Sequence, residues 1–262
     1  MARAEAGRAW RRWLPVWLLL FALYQSPEGI GARWLHQDAL AAGLMLAFLP
    51  AAWLAARKLG LGMGDAYALR WNGQRARQLA GTFGLGLAVK AAALALGLYG
   101  GIYHPGEPVA QPSGLVLAGT VVWLAFYTFV PSLAEDILTR GFWAGVPGWP
   151  VGPAWVLGTA LLYTLNHVFR LGLGPWEWAM LLCFGLAYGT AVWRSGTLWA
   201  AVGLHWGWNF AGQLGSLLGD WPAVDADGAR AWSGGAHLLM AVVVFWVWRP
   251  APPAAPGGRG GA

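Results

Sequence analysis

One cysteine, Cys183, and few charges are what this sequence of 262 residues has least of. A lone thiol in an apolar run has no disulfide partner and no companion thiolates to hold a metal, so its plain reading is a small buried residue. Charged side chains make up 11% of the chain and hydrophobic ones 58%, whereas a soluble domain carries roughly 25% charged residues. A water-soluble globule is excluded. The composition predicts an all-α, polytopic membrane protein.

Other features are missing too. The net charge of +6 forms no basic stripe, because the cationic residues fall between apolar runs; nucleic acid is therefore not an expected partner. No small-residue cleavage site follows the first apolar run, Leu14 to Tyr24, since Gln25-Ser26-Pro27-Glu28 comes next. Arg3, Arg8, Arg11 and Arg12 thus precede a retained helix, with a cleaved signal as the alternative. No internal repeat is visible, which counts against a transporter built from inverted halves.

The apolar runs give about eight predicted spans, at 10–26, 38–56, 79–103, 115–142, 153–170, 176–193, 197–218 and 232–248. Each is near the roughly 20 residues that a bilayer requires. With the amino terminus inside, only Arg33, Arg170 and Arg230 face outward and Lys90 lies within a span, while the remaining Lys and Arg are cytoplasmic. That asymmetry predicts both termini in the cytoplasm of a bacterial or archaeal type of plasma membrane. Trp10, Trp13, Trp149, Trp176, Trp199, Trp232 and Trp248 sit at span ends, where belt and packing roles account for them. Residues 1–248 read as one helical domain. Residues 249–262, rich in Pro, Gly and Ala, read as a disordered tail.

Polar residues inside such runs are expensive, so they mark the candidate site. The run from Leu115 to Leu133 is free of charge and ends in Glu135, Asp136 and Arg140. Asp136 and Arg140, at i and i+4, suit a structural ion pair, while Glu135 points about 100° away and is free to act as a general base. Two further segments add Tyr163-Thr164-Leu165-Asn166-His167 and His205-Trp206-Gly207-Trp208-Asn209. In each, the i, i+4 spacing places polar residues on one helical face. Counted from the cytoplasmic ends, Glu135 lies about 10 Å deep, His205 about 12 Å, Asn209 about 18 Å and His167 about 21 Å. His205 and Asn209 suit donation to an oxyanion. Each residue taken alone also has a structural reading, as a helix-end ion pair or as polar glue between helices. His36 and His104 read as loop residues and His237 as an interfacial or packing residue. Lys90 either pairs with a carboxylate or snorkels.

These residues resemble the CAAX protease and bacteriocin-processing family of intramembrane proteases, whose pattern is Glu-Glu-x-x-x-Arg, Phe-x-x-x-His and His-x-x-x-Asn on successive helices. The matching residues are Glu135-Asp136-x-x-x-Arg140, Tyr163-x-x-x-His167 and His205-x-x-x-Asn209, with Asp136 and Tyr163 departing from the pattern. The resemblance implies an active site between the fourth, fifth and seventh spans. There Glu135 and His167 would activate water while His205 and Asn209 stabilise the oxyanion. It also implies a peptide or protein substrate at the membrane, lipidated or not, and a site opening toward the cytoplasm. A metal-free glutamate mechanism is favoured, since no His-Glu-x-x-His helix is present; a zinc site on Glu135, His167 and His205 stays open. The readings from other classes are a non-catalytic immunity or membrane-binding protein of the same fold, and a transporter using Lys90.

Overall fold

Prolines and small polar residues mark where the helices begin, and apolar runs fill them. A computed structural model describes residues 2–107, 113–147 and 149–248; the tail expected over 249–262 lies outside the described residues. In chain order come α1 (Ala2–Ser26), continued by a π-helical stretch Pro27–Trp34, α2 (Asp38–Lys58), the single turn α3 (Met63–Ala66) and α4 (Gly73–Tyr99). Then follow α5 (Gly114–Asp136), continued by a π-helical stretch Ile137–Gly141 and the turn α6 (Phe142–Gly145), then α7 (Pro153–Asn166), α8 (Pro175–Ser195), α9 (Leu198–Leu218) and α10 (Ala226–Val247). Among the described residues the only strand pairing is an isolated bridge, Tyr103 to Ala223.

Local chemistry sets these boundaries. Asn72 accepts the backbone N–H of Arg75 at 2.9 Å and starts α4, and Asp225 accepts from Asp227 and Gly228 to start α10. Each satisfies donors that a helix start leaves orphaned. Pro153 and Pro175 open α7 and α8 at positions where their missing N–H is harmless. Gly196, at φ +67°, ends α8 in the left-handed region, and Thr197 then caps α9.

Long helices occupy the segments expected as spans. Among the described residues four stretches, Asp38–Lys58, Gly73–Tyr99, Gly114–Gly145 and Ala226–Val247, are long and apolar enough to cross a membrane, and they mark a membrane protein. The fifth expected span is shorter than its apolar run: α7 stops at Asn166, and His167 has non-helical backbone (φ −85°, ψ 52°). The reason is a competing donor, because Gln25 gives its side-chain N–H to the Asn166 carbonyl at 2.9 Å. That carbonyl no longer needs the next helical turn.

Side chains segregate by end. Arg170, Glu177, Asp227 and Arg230 are ion-paired at one end of the bundle, while Arg75 donates to the Ser195 carbonyl and Arg194 to that of Trp248 at the other. Trp13 is a packing residue, buried edge-on against Phe142 at 5.1 Å.

The tightest packing lies between α4 and α9. A Cβ at Gly203 would strike Thr82, one at Gly207 would strike the Phe83 carbonyl, and one at Gly86 would strike the Leu204 carbonyl. Small residues let the two backbones touch, as in other membrane helix pairs. His205 lies midway between Gly203 and Gly207 in sequence, about 200° around the helix from each, so the packed face of α9 turns His205 toward α5.

Candidate active site

The carboxylates emerge from a disturbed helix. Pro131 removes the hydrogen bond that its N–H would give to the Tyr127 carbonyl, and the backbone widens into the π-helical turn directly after Asp136. Such widened turns recur at functional sites. Ser132 and Thr139 turn their hydroxyls back onto the carbonyls of Thr128 and Glu135, both at 2.7 Å. The whole stretch Ser132–Phe142 is buried.

Glu135 sits among partners from two other helices or their ends. Its Oε1 is 3.4 Å from His167 Nε2 and accepts the Asn166 side-chain amide at 3.2 Å; its Oε2 is 3.6 Å from His205 Nε2. Tyr24 on α1 lines the cavity beside Asn166 and His167. His167 Nδ1 lies 2.9 Å from the Tyr163 carbonyl. A carbonyl only accepts, so Nδ1 carries a proton, and in the neutral ring Nε2 presents its lone pair toward Glu135. A lone pair and a carboxylate facing one another are bridged by a proton or by a donor such as water.

Asp136 does more than pair with Arg140. One of its oxygens takes the Arg140 guanidinium, and the other lies 3.4 Å from His205 Nδ1. His205 thus has a carboxylate at each ring nitrogen. Arg140 is fully buried, with its guanidinium 4.6 Å from the Tyr163 ring centre and 5.1 Å from that of Tyr188. Two aromatic faces and one carboxylate together offset the desolvation of this cation.

Asn209 lies one turn beyond His205 and donates to Ser132 Oγ at 3.2 Å. Among the described residues no hydrogen bond joins it to Glu135. Ser132 precedes Glu135 by nearly one turn, so the Asn209 amide borders the site without entering the carboxylate's own contacts.

Residues 117–211 match the family model described as Type II CAAX prenyl endopeptidase Rce1-like. The family resemblance holds. No curated protein and no solved structure matches the chain. The segment that resembles this family of endopeptidases covers Glu135, His167, His205 and Asn209. Several residues that complete the pocket fall outside it: Tyr24 and Gln25 on α1 and His237 on α10.

Some of these neighbours had a sequence signal and some had none. Asn166 stands beside His167, but only the structure shows its amide divided between Gln25 and Glu135. His237, read as an interfacial or packing residue, is fully buried. Its Nδ1 lies 2.9 Å from the Ser233 carbonyl, which leaves Nε2 to accept the Tyr188 hydroxyl at 3.0 Å. Tyr188 in turn stacks on His205 at 4.7 Å and 20°.

Glu135, His167 and His205 are the ligands only of the less favoured, zinc-dependent reading. Among the described residues no three His, Cys, Asp or Glu side chains are gathered as a metal-holding group.

Two openings adjoin the site. A cavity of about 100 Å³ touches His167 and Asn166 and is bounded by Tyr24, Pro27, Glu28 and Arg170. Beside it, a groove of about 630 Å³ between α2 and α5 is lined by Met45, Trp123, Phe126 and Val130 and again by Pro27 and Glu28. Glu28 and Arg170 belong to the end that the eight-span reading assigns to the outside. The cavity is bounded at that end because α1 continues past Tyr24 and the Asn166–Arg170 segment lies beside it.

Proposed function

We propose that this chain is an intramembrane endopeptidase that hydrolyses a peptide bond with water activated by Glu135 and His167. One observation carries the proposal: a single buried carboxylate faces an imidazole Nε2 at each oxygen, 3.4 and 3.6 Å away, one from the end of α7 and one from α9. Buried carboxylates and imidazoles at such separations suit proton transfer through one water.

In the proposed mechanism, water sits beside Glu135 Oε1 and His167 Nε2, within hydrogen-bond reach of both. Glu135 takes its proton as the oxygen attacks the carbonyl carbon of the substrate. The proton on His167 Nδ1 is anchored by the Tyr163 carbonyl, so Nε2 stays directed at that water. His205, protonated on both nitrogens in the reacting form, donates from Nδ1 to Asp136 and from Nε2 to the developing oxyanion. Asn209 supplies a second donor once its amide leaves Ser132. Collapse of the tetrahedral intermediate breaks the C–N bond, and the proton held by Glu135 passes to the leaving amine. The products are one new carboxylate and one new amine.

The α2–α5 groove supports entry from the side, since Met45, Trp123 and Phe126 would accept an apolar peptide or a lipid attached to it. The same reading takes the eight long helices as spans, with both termini on the cytoplasmic side.

The test compares membrane and secreted peptides from cells carrying the native chain with those carrying Glu135→Gln, at matched expression. A small set of precursors should accumulate only in the variant. If the profiles agree while deletion of the chain still has a phenotype, the protein acts by binding, as a non-catalytic member of the fold would.

A further inference from the structure

A second cavity lies away from the carboxylate site, between the far halves of α4 and α9. It has a volume of about 420 Å³, and its walls include Lys90, Leu94, Tyr103, Gly212, Ser216 and Asp220. Lys90 stands about 13 Å below the end of α4 at Tyr99, at a depth where an unpaired charge is costly. Its ammonium lies 4.6 Å from the Trp208 ring centre. Among the described residues no carboxylate is within ion-pair distance of it, nor is any cation within that distance of Asp220. Two opposite charges thus line one cavity without meeting.

The roof of this cavity is built. Residues 102–106 run antiparallel to 220–224, with Gly106 N–H donating to the Asp220 carbonyl at 2.9 Å, His104 N–H to Pro222 at 3.1 Å and Val224 N–H to Ile102 at 3.0 Å. Three glycines allow the closure. A Cβ at Gly97 would come 2.6 Å from the Tyr103 ring, one at Gly219 would come 2.8 Å from the Trp221 ring, and one at Gly106 would come 2.9 Å from the Asp220 carboxylate. Trp221 is also pinned, its indole N–H donating to the Gly215 carbonyl at 2.8 Å. Asp220 is therefore held in place at the mouth while Lys90 projects from the wall.

We infer that this cavity binds a zwitterion, an ammonium group a few atoms from a phosphate, with the phosphate at Lys90 and the ammonium at Asp220. A ligand carrying both charges neutralises both residues at once, whereas a simple anion would meet Asp220 on entry and a simple cation would meet Lys90. Ethanolamine phosphate has this chemistry, either as a phospholipid headgroup or as a free solute. The site is independent of the proteolytic reading, since neither residue touches the Glu135 cluster.

The test follows thermal unfolding of the purified full chain in dodecyl maltoside micelles. Phosphatidylethanolamine and soluble O-phosphoethanolamine are the zwitterionic probes; glycerol 3-phosphate and ethanolamine carry one charge each. A zwitterionic probe should raise Tm by about 2–4 °C in the native chain, and the rise should vanish in both Lys90→Met and Asp220→Asn. A rise with the lipid alone assigns the headgroup, and a rise with O-phosphoethanolamine as well assigns the free solute. Lys90→Met replaces a charge within the bilayer with an apolar side chain and Asp220→Asn lies on an exposed turn, so both variants should fold. Equal rises in the variants and the native chain would overturn the inference, as would no rise with either zwitterion, or a glycerol 3-phosphate effect matching theirs.

Discussion

The two halves of α5 and its continuation lie in opposite surroundings. In the first half Leu115 is 91% exposed, and Val116, Val122, Trp123 and Tyr127 are exposed with it. From Ser132 to Phe142 every residue is buried, including Glu135, Asp136 and Arg140. In water this would be inverted, with charges outward and apolar groups inward. In a bilayer the lipid solvates the first half, and only the protein can solvate the charges of the second. The contrast teaches that in this chain the polar residues, not the apolar ones, report where the interior is.

Arg140→Met should break the contrast most. It leaves Asp136 as a buried charge without its partner and should cost about 3–5 kcal/mol, read as an earlier midpoint in SDS titration of the detergent-solubilised protein. Adding Asp136→Asn should recover part of that loss, because the orphaned charge is gone. Next comes Asn209→Ala, expected to lower kcat/KM by about 10²–10³-fold in a cleavage assay while the SDS midpoint moves little. A smaller effect is expected at the α4–α9 contact: Gly207→Val forces the backbones apart and should cost about 1–3 kcal/mol in the same titration. At the bottom stands Val122→Ala in the lipid-facing half, which should change stability by less than about 0.5 kcal/mol. A large loss at Val122 would mean that this face packs against protein.

Much of the site was legible because membrane burial makes polarity conspicuous. Glu135, His167 and His205 stand out from their apolar surroundings, and the structure brings both imidazoles within 3.4–3.6 Å of the Glu135 carboxylate. What could not be read was which polar groups complete them. Gln25 and Asn166 are 141 positions apart, and no local pattern links them. His237 gave a signal, an imidazole in an apolar run, but its bond to Tyr188 needs α8 and α10 in register. The end of α7 was misread for the same reason, since the apolar run continues while a side chain from α1 caps the helix.

By itself, then, the sequence determined the solvent and the actors. Scarce charge and long apolar runs require a bilayer, and charged or imidazole side chains within those runs require partners from other helices. Only the tertiary structure decided the pairings: Asp136 reaching both Arg140 and His205, the cavity at His167 opening beside Glu28 and Arg170, and Lys90 and Asp220 lining one cavity unpaired. The physical reason is that helix composition is set residue by residue, whereas the rotation, tilt and ending of each helix follow from close contacts such as Gly203 and Gly207 against α4.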